Sequence, residues 1–215
     1  MEKKAVKKEV KKKKDKYETQ LKWVFAFAIV LILVVIATYF LVESLKRFQY
    51  AGLKFEKIMF DKLPLYYSKI PFVDESGNLK LYYNLYLKND PRKLDYIEIS
   101  GIIRADDNVR ISLDRASENE CDGREILRNL AELVTGTGNK LTIGFNDLEL
   151  AKEKNMSYFT CDNADVTTFV FKSSNSTRIT QKGNCYELEF DNCKVREVTE
   201  RFIVGWFAHA KGVQI

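Results

Sequence analysis

Residues 23–42 read WVFAFAIVLILVVIATYFLV, an uninterrupted run of 20 residues without a charge, a proline or a glycine. As a helix rising 1.5 Å per residue it covers about 30 Å, the thickness of a bilayer's hydrocarbon core. Trp23 opens the run and Tyr39 lies near its far end, where interfacial aromatics belong. Buried helices of soluble proteins are rarely apolar on every face over this length. A cleaved signal peptide has a shorter apolar core followed by a small-residue cleavage site. The Ala37-Thr38-Tyr39 segment does not supply one. The run is therefore read as a single-pass, uncleaved signal-anchor.

Its flanks set the expected direction. Residues 1–22 carry ten lysines against Glu2, Glu9, Asp15 and Glu18, whereas the rest of the chain carries 25 basic and 26 acidic residues. Positive charge stays on the cytoplasmic side of a span. This predicts a basic cytoplasmic tail at 1–22, a transmembrane helix at 23–42, and an extracytoplasmic domain beyond it. The lysine tail suits anionic lipid head groups, each lysine contributing about 1 kcal/mol near such a surface. The folded part has no basic excess, so nucleic acid is not expected as its partner.

Four cysteines follow the span: Cys121, Cys161, Cys185 and Cys193. No two form a C-x-x-C pair, which removes a thioredoxin-like motif and close-spaced zinc knuckles. An even count outside the cytoplasm predicts two disulfides. Cys121–Cys161 with Cys185–Cys193 is the preferred pairing, because the second pair is close in sequence. Asn155 and Asn175 head the sequons Asn-Met-Ser and Asn-Ser-Thr and are candidate glycosylation sites.

Beyond the span the pattern predicts an α+β protein. Residues 43–63 are expected to continue the helix as a juxtamembrane stalk, weakened at Gly52 and ended by Pro64. The extracytoplasmic α+β domain then covers 64–215, β-rich over 64–115 and mixed over 120–215. Strand formers at 65–70 and 79–87 flank a turn cluster at 74–78, which predicts a hairpin. A turn at 89–92 and strands at 96–103 and 109–113 follow. Apolar spacing predicts a helix over 124–134, with a strand at 141–145 after it. Asn146, with Glu149 three residues on, is the expected N-cap of the next helix. Further strands are expected at 158–161, 167–172, 177–180 and 185–190. Val195, Val198, Phe202, Trp206 and Ala210 define a last amphipathic helix. That helix either packs on the sheet as core or presents Phe202, Trp206 and Phe207 to a partner.

No catalytic, cofactor or metal motif emerges. His209 is the sole histidine, which excludes a multi-histidine metal site; its expected role is a partial positive charge near a helix C-terminus. The segment TGTGNK at 135–140 lacks the spacing of a phosphate loop and reads as a helix end. The acidic groups at 106–108 and 162–165 lack the alternating ligands of a calcium loop.

The lysine-rich tail, the span, YNLYLKNDPR at 83–92 and TERFIVG at 199–205 together resemble uncharacterised single-span, membrane-anchored archaeal proteins. That resemblance implies an anchored domain and no particular activity. The leading expectation is a non-enzymatic binding or envelope-assembly module, in contact with the bilayer and with an envelope protein. A membrane-anchored hydrolase without a recognisable motif is the first alternative. A pilin-like structural subunit is the second, although the small-residue junction and early glutamate of such proteins are missing.

Overall fold

One helix, α1 (Glu2–Lys46), contains the apolar run. In the computed structural model, which describes residues 2–73, 78–104, 106–119, 121 and 123–215, the chain divides after Lys46 into two units. Within α1, Lys22–Ser44 is long and apolar enough to cross a membrane, and its side chains are uncovered by the protein. The hydroxyl of Thr38 donates to the carbonyls of Val34 and Val35, so this polar side chain is satisfied by its own helix.

The second unit opens with an antiparallel meander. Strands β1 (Arg47–Tyr50), β2 (Leu53–Phe60), β3 (Leu63–Val73) and β4 (Leu79–Leu87) lie side by side in chain order. The helical stalk expected over 43–63 is thus corrected to a hairpin beyond Lys46. Ala51 and Gly52 both have positive φ, 52° and 72°, as a two-residue hairpin turn between right-twisted strands requires. Phe48, Tyr50, Leu53 and Phe55 turn inward while Gln49 and Lys54 turn out, a period of two that a helix cannot satisfy. The expected pairing of 65–70 with 79–87 is present as β3 on β4; most of its turn cluster, 74–77, lies outside the described residues. Pro64 and Pro71 both sit inside β3. Pro64 pairs with Met59 before β4 begins to pair, and Pro71 pairs with Tyr82 after β2 has ended. Each proline therefore lies where the strand has one neighbour, so no central ladder bond is lost.

The expected turn at 89–92 is a short 3-10 turn, Pro91–Leu94, capped by Asp90. A second sheet follows, built from β5 (Glu98–Ser100), β6 (Asn108–Leu113), β7 (Lys140–Phe145), β8 (Ser157–Tyr158), β9 (Thr167–Ser173), β10 (Arg178–Lys182) and β11 (Cys185–Phe190). Its order is β5-β10-β11-β9-β6-β7-β8. β8, β7, β6, β9 and β11 run parallel, while β10 opposes β11 and pairs in parallel with β5. Helices α2 (Arg115–Asn119), α3 (Gly123–Gly136), α4 (Leu148–Lys154) and α5 (Val195–Ala210) complete the unit.

Helix α5 explains its own composition. Phe202 packs edge-on against Phe169 of β9 with ring centres 4.7 Å apart, and against Tyr186 of β11 at 5.9 Å. One turn on, Phe207 meets Phe72 of β3 and Tyr83 of β4, both at 6.0 Å. The helix therefore touches both sheets, and a helix buried on most sides must be apolar on most sides. Gly205 gives the close approach here, because a Cβ would stand 2.7 Å from the end of the Ile99 side chain and 2.9 Å from that of Ile103, and both would have to shift. Phe202, Trp206 and Phe207 are 0, 8 and 6% exposed, so the partner-facing reading of these three is corrected to core.

Two disulfides staple the unit, and they are Cys121–Cys193 and Cys161–Cys185, not the pairing preferred from sequence distance. Cys185 opens β11 and Cys193 lies past its end. A six-residue strand holds its ends more than about 15 Å apart, whereas bridged Cα atoms lie within about 7 Å. Cys161 instead ties the β8–β9 connection to β11. Cys121 ties the segment between α2 and α3 to the approach of α5.

Candidate functional site

The parallel part of the second sheet has a switch point. From β6 the chain proceeds through α3 to β7 and then β8 on one side; β9 and β11 lie on the other. Ligands of open α/β sheets settle outside the carboxyl ends of the strands at such a point. Here a cleft of about 340 Å³ is lined by Asp114 after β6, Asn146 after β7, Lys172 of β9, and Thr160, Cys161 and Asp162 of the β8–β9 connection, with Val170 and Glu187 behind.

Its most central acid is already occupied. Asp114 Oδ1 accepts from the backbone N–H of Ser117 at 2.8 Å and from the Ser117 hydroxyl, while Oδ2 accepts from the N–H of Ser173 at 2.5 Å. A carboxylate offers about four lone-pair positions, so this one is nearly saturated. Asp114 is a clasp that starts α2 and holds the ends of β6 and β9 together. Asp114→Asn turns a donor toward one of these N–H groups and should cost about 1–3 kcal/mol, read from the shift of the urea midpoint.

Asn146 has a different duty from the cap expected of it. Its N–H continues the ladder to the carbonyl of Leu113 and its side chain donates to the carbonyl of Phe171 at 2.7 Å. The N-cap of α4 is Asp147, which accepts from the N–H groups of Glu149 and Leu150, each at 2.9 Å. Glu187 is paired with Lys182 at 2.8 Å. Among the described residues, no three of histidine, cysteine, aspartate and glutamate gather as metal ligands. The cleft is a polar recess whose acids are mostly committed to the fold.

His209 lies away from the cleft. Its Nδ1 accepts a hydrogen bond from the N–H of Ile103 at 2.9 Å. Burial, and then the charge of Arg201, hold its pKa below the ordinary histidine range. The expected cationic role is thus corrected to a neutral acceptor that fastens the end of α5. Because the folded chain takes up this proton less readily than the unfolded one, His209 contributes stability that is complete above about pH 6.5 and is lost as pH falls through the folded pKa. The urea midpoint should fall between pH 7 and pH 5, and His209→Asn, which keeps an acceptor without titrating, should flatten that fall.

The outer face of the meander is a second candidate. Register sets Arg47, Glu56, Tyr67 and Tyr86 in one row across the four strands. Beside it stand Lys54, opposite Gln49, and Lys69, opposite Asn84; Tyr82 lies opposite Pro71. Tyr67 and Tyr86 lie 5.1 Å apart between ring centres, and the Tyr67 hydroxyl donates to Asn84 at 2.9 Å. The Lys69 ammonium sits 4.0 Å above the Tyr82 ring. Arg47, Gln49, Lys54, Glu56, Tyr67 and Lys69, with Phe48 and Phe55 between them along the strands, line a basin of about 630 Å³. Three cations around one carboxylate make this rim positive.

Comparison with protein-family models, with curated proteins and with solved structures returned no match. Function is accordingly read from the sites alone. Of the residues singled out in the sequence, the four cysteines form the two staples and the three aromatics of α5 form core. Asn155 and Asn175 are both exposed, Asn155 as the left-handed C-cap of α4. The structure adds Asp114, Tyr67, Tyr82, Tyr86, Lys54 and Lys69. The tyrosine-rich alternation of β3 and β4 was the only sequence signal for this face, and without register it names no surface.

Proposed function

We propose that this chain is a single-pass membrane protein with its lysine-rich tail in the cytoplasm and its disulfide-bonded domain outside. The domain acts as a binding or envelope-assembly module, and the outer face of the four-stranded sheet is its docking surface. One observation carries the reading: Tyr67, Tyr82 and Tyr86 stand beside Arg47, Lys54 and Lys69 on a sheet face open to solvent. Antiparallel sheets commonly leave one face to water, where polar residues suffice. Tyrosine and arginine are the side chains that anchor protein interfaces, since they combine large contact area with directional bonding. The positive rim selects an envelope protein with an acidic patch.

Three further features support the placement. Two disulfides persist best in an oxidising compartment. The basic flank of the apolar helix keeps the tail inside. Both sequon asparagines are accessible.

The test is crosslinking in native membranes, purification of the full chain in mild detergent, and mass spectrometry of co-purifying proteins. A stoichiometric envelope partner is expected with the wild type. Lys54→Glu with Lys69→Glu should abolish its recovery while leaving the unfolding free energy within about 0.5 kcal/mol, as exposed substitutions do. Recovery unchanged by the double variant contradicts the assignment. A membrane-anchored hydrolase is the second reading, favoured by the position of the switch-point cleft. It requires turnover that substitution of Lys172 and Asp162 removes.

A further inference from the structure

The meander has one extension that its own core does not explain. Arg47, the first residue of β1, pairs with Glu56, yet β2 continues to Phe60. The β2–β3 hairpin thus overhangs β1 by four residue pairs, Lys57 with Tyr66 through Phe60 with Leu63. At about 3.3 Å per residue this is roughly 13 Å. β1 and β2 are antiparallel, so the overhang projects past Arg47 in the direction of the N-terminal end of β1.

Its composition is unusual for a free hairpin. Alternation places Ile58, Phe60, Leu63 and Leu65 on one face of the overhang. Met59, Phe60 and Leu63 are 63, 70 and 60% exposed. On the side β1 would occupy, β2 is an apolar edge beyond Glu56, a feature that soluble domains blunt or cover because it invites aggregation. Lys57 and Lys62 flank the apolar group, and Asp61 and Lys62 form the turn.

Chain connectivity names what covers it. The apolar stretch of α1 ends at Ser44, and Arg47 follows three residues later. Three residues reach at most about 10 Å. The overhang, at roughly 13 Å, is at least as long as that reach.

We infer that the β2–β3 overhang is a second membrane contact, lying in the headgroup region with Phe60 and Leu63 against the acyl boundary. This rests on the anchored reading of α1. The lysines meet anionic phosphates, each contributing about 1 kcal/mol near the surface. The exposed backbone edge and the charged turn keep the hairpin at interfacial depth, because unpaired peptide groups do not enter hydrocarbon. Ile58, Phe60, Leu63 and Leu65 continue the face that carries Glu56 and Tyr67, so the contact places only the tip of that face at the membrane and sets the tilt of its tyrosine-lined part.

The test uses the full chain in nanodiscs of phosphatidylcholine and phosphatidylglycerol. A nitroxide is placed at Leu63→Cys, with Ile32→Cys inside the apolar helix and Asn155→Cys on the exposed domain surface as references. The native cysteines are paired and do not compete for the label. Relative accessibility to oxygen and to a water-soluble nickel complex reports depth. The expected result is an oxygen-to-nickel ratio at Leu63 several-fold above that at Asn155 and below that at Ile32. A Leu63 ratio equal to that of Asn155, with Ile32 buried, overturns the hairpin contact and leaves the anchor standing. A nickel-accessible Ile32 overturns the anchor and the contact with it. Shielding of Leu63 only when another protein co-purifies also overturns it, and makes the overhang a protein interface.

Discussion

Phe202→Ala should remove about 3–5 kcal/mol from the unfolding free energy, the largest effect of any single truncation considered. Phe202 is fully buried and its ring sits among Phe169, Tyr186 and Trp206, with centres 4.7, 5.9 and 6.1 Å away. Removing it leaves a cavity at the junction of α5 with β9 and β11, and these aromatic neighbours cannot collapse into it without moving the sheet. Domains of this size are stable by only about 5–15 kcal/mol. The variant should therefore unfold at a markedly lower urea concentration, with its slope unchanged. If Phe202 served a partner instead of the core, its truncation would spare the melt and abolish association. The two roles separate cleanly in this one variant.

Removing a disulfide ranks next. Cys121–Cys193 spans a sequence separation of 72 and Cys161–Cys185 one of 24. In the loop-entropy description their constraints on the unfolded chain are worth about 4.5 and about 3.5 kcal/mol. Paired alanine substitution at Cys121 and Cys193 should thus lower the unfolding free energy by about that larger amount. The same change at Cys161 and Cys185 should cost slightly less, and it also frees the β8–β9 connection that forms one wall of the switch-point cleft. Urea melts of the two double variants, compared with wild type under non-reducing conditions, measure both. Single alanine substitutions add a check on the pairing. Cys121→Ala should liberate a titratable thiol at Cys193, whereas the pairing by sequence proximity would liberate it at Cys161.

The elements that were legible from sequence are those written in a long, unambiguous period. The apolar run declares itself by length. The boundaries of β11 and α5 coincide with those expected at 185–190 and Val195–Ala210, because a cysteine, a glycine-containing turn and a strong 3.6-residue stripe bracket them. Residues 47–60 misled for a physical reason. Lysine and glutamate fill their outward positions, so charge spacing mimics a helical surface, and only the turn at Ala51-Gly52 marks the reversal. Asn146 and Asp147 are both good caps; the choice between them is made by the ladder, which claims the N–H of Asn146.

The candidate sites were less legible still. Disulfide pairing follows distance in space, and the strand between Cys185 and Cys193 sets that distance. Asp114 shows nothing in sequence that separates it from any acid after a strand. Its role needs β9 beside β6, a neighbour 59 residues away in the chain. The tyrosine-lined face needs the register of four strands, which places Arg47, Glu56, Tyr67 and Tyr86 in one row. The core role of Phe202, Trp206 and Phe207 was available in outline, since α5 is apolar on more than one side, and a helix lodged between two sheets is the arrangement that composition requires.

The reading stands or falls on whether the lysine-rich tail and the disulfide-bonded domain lie on opposite sides of a membrane. Protease shaving of intact cells that carry one epitope tag before residue 1 and another after Ile215 tests it most directly. External protease is expected to remove the C-terminal tag, while the N-terminal tag survives on a short fragment holding the basic tail and the span. A C-terminal tag that is protected until the cells are broken, or an N-terminal tag already lost from the mature protein before digestion, would contradict it.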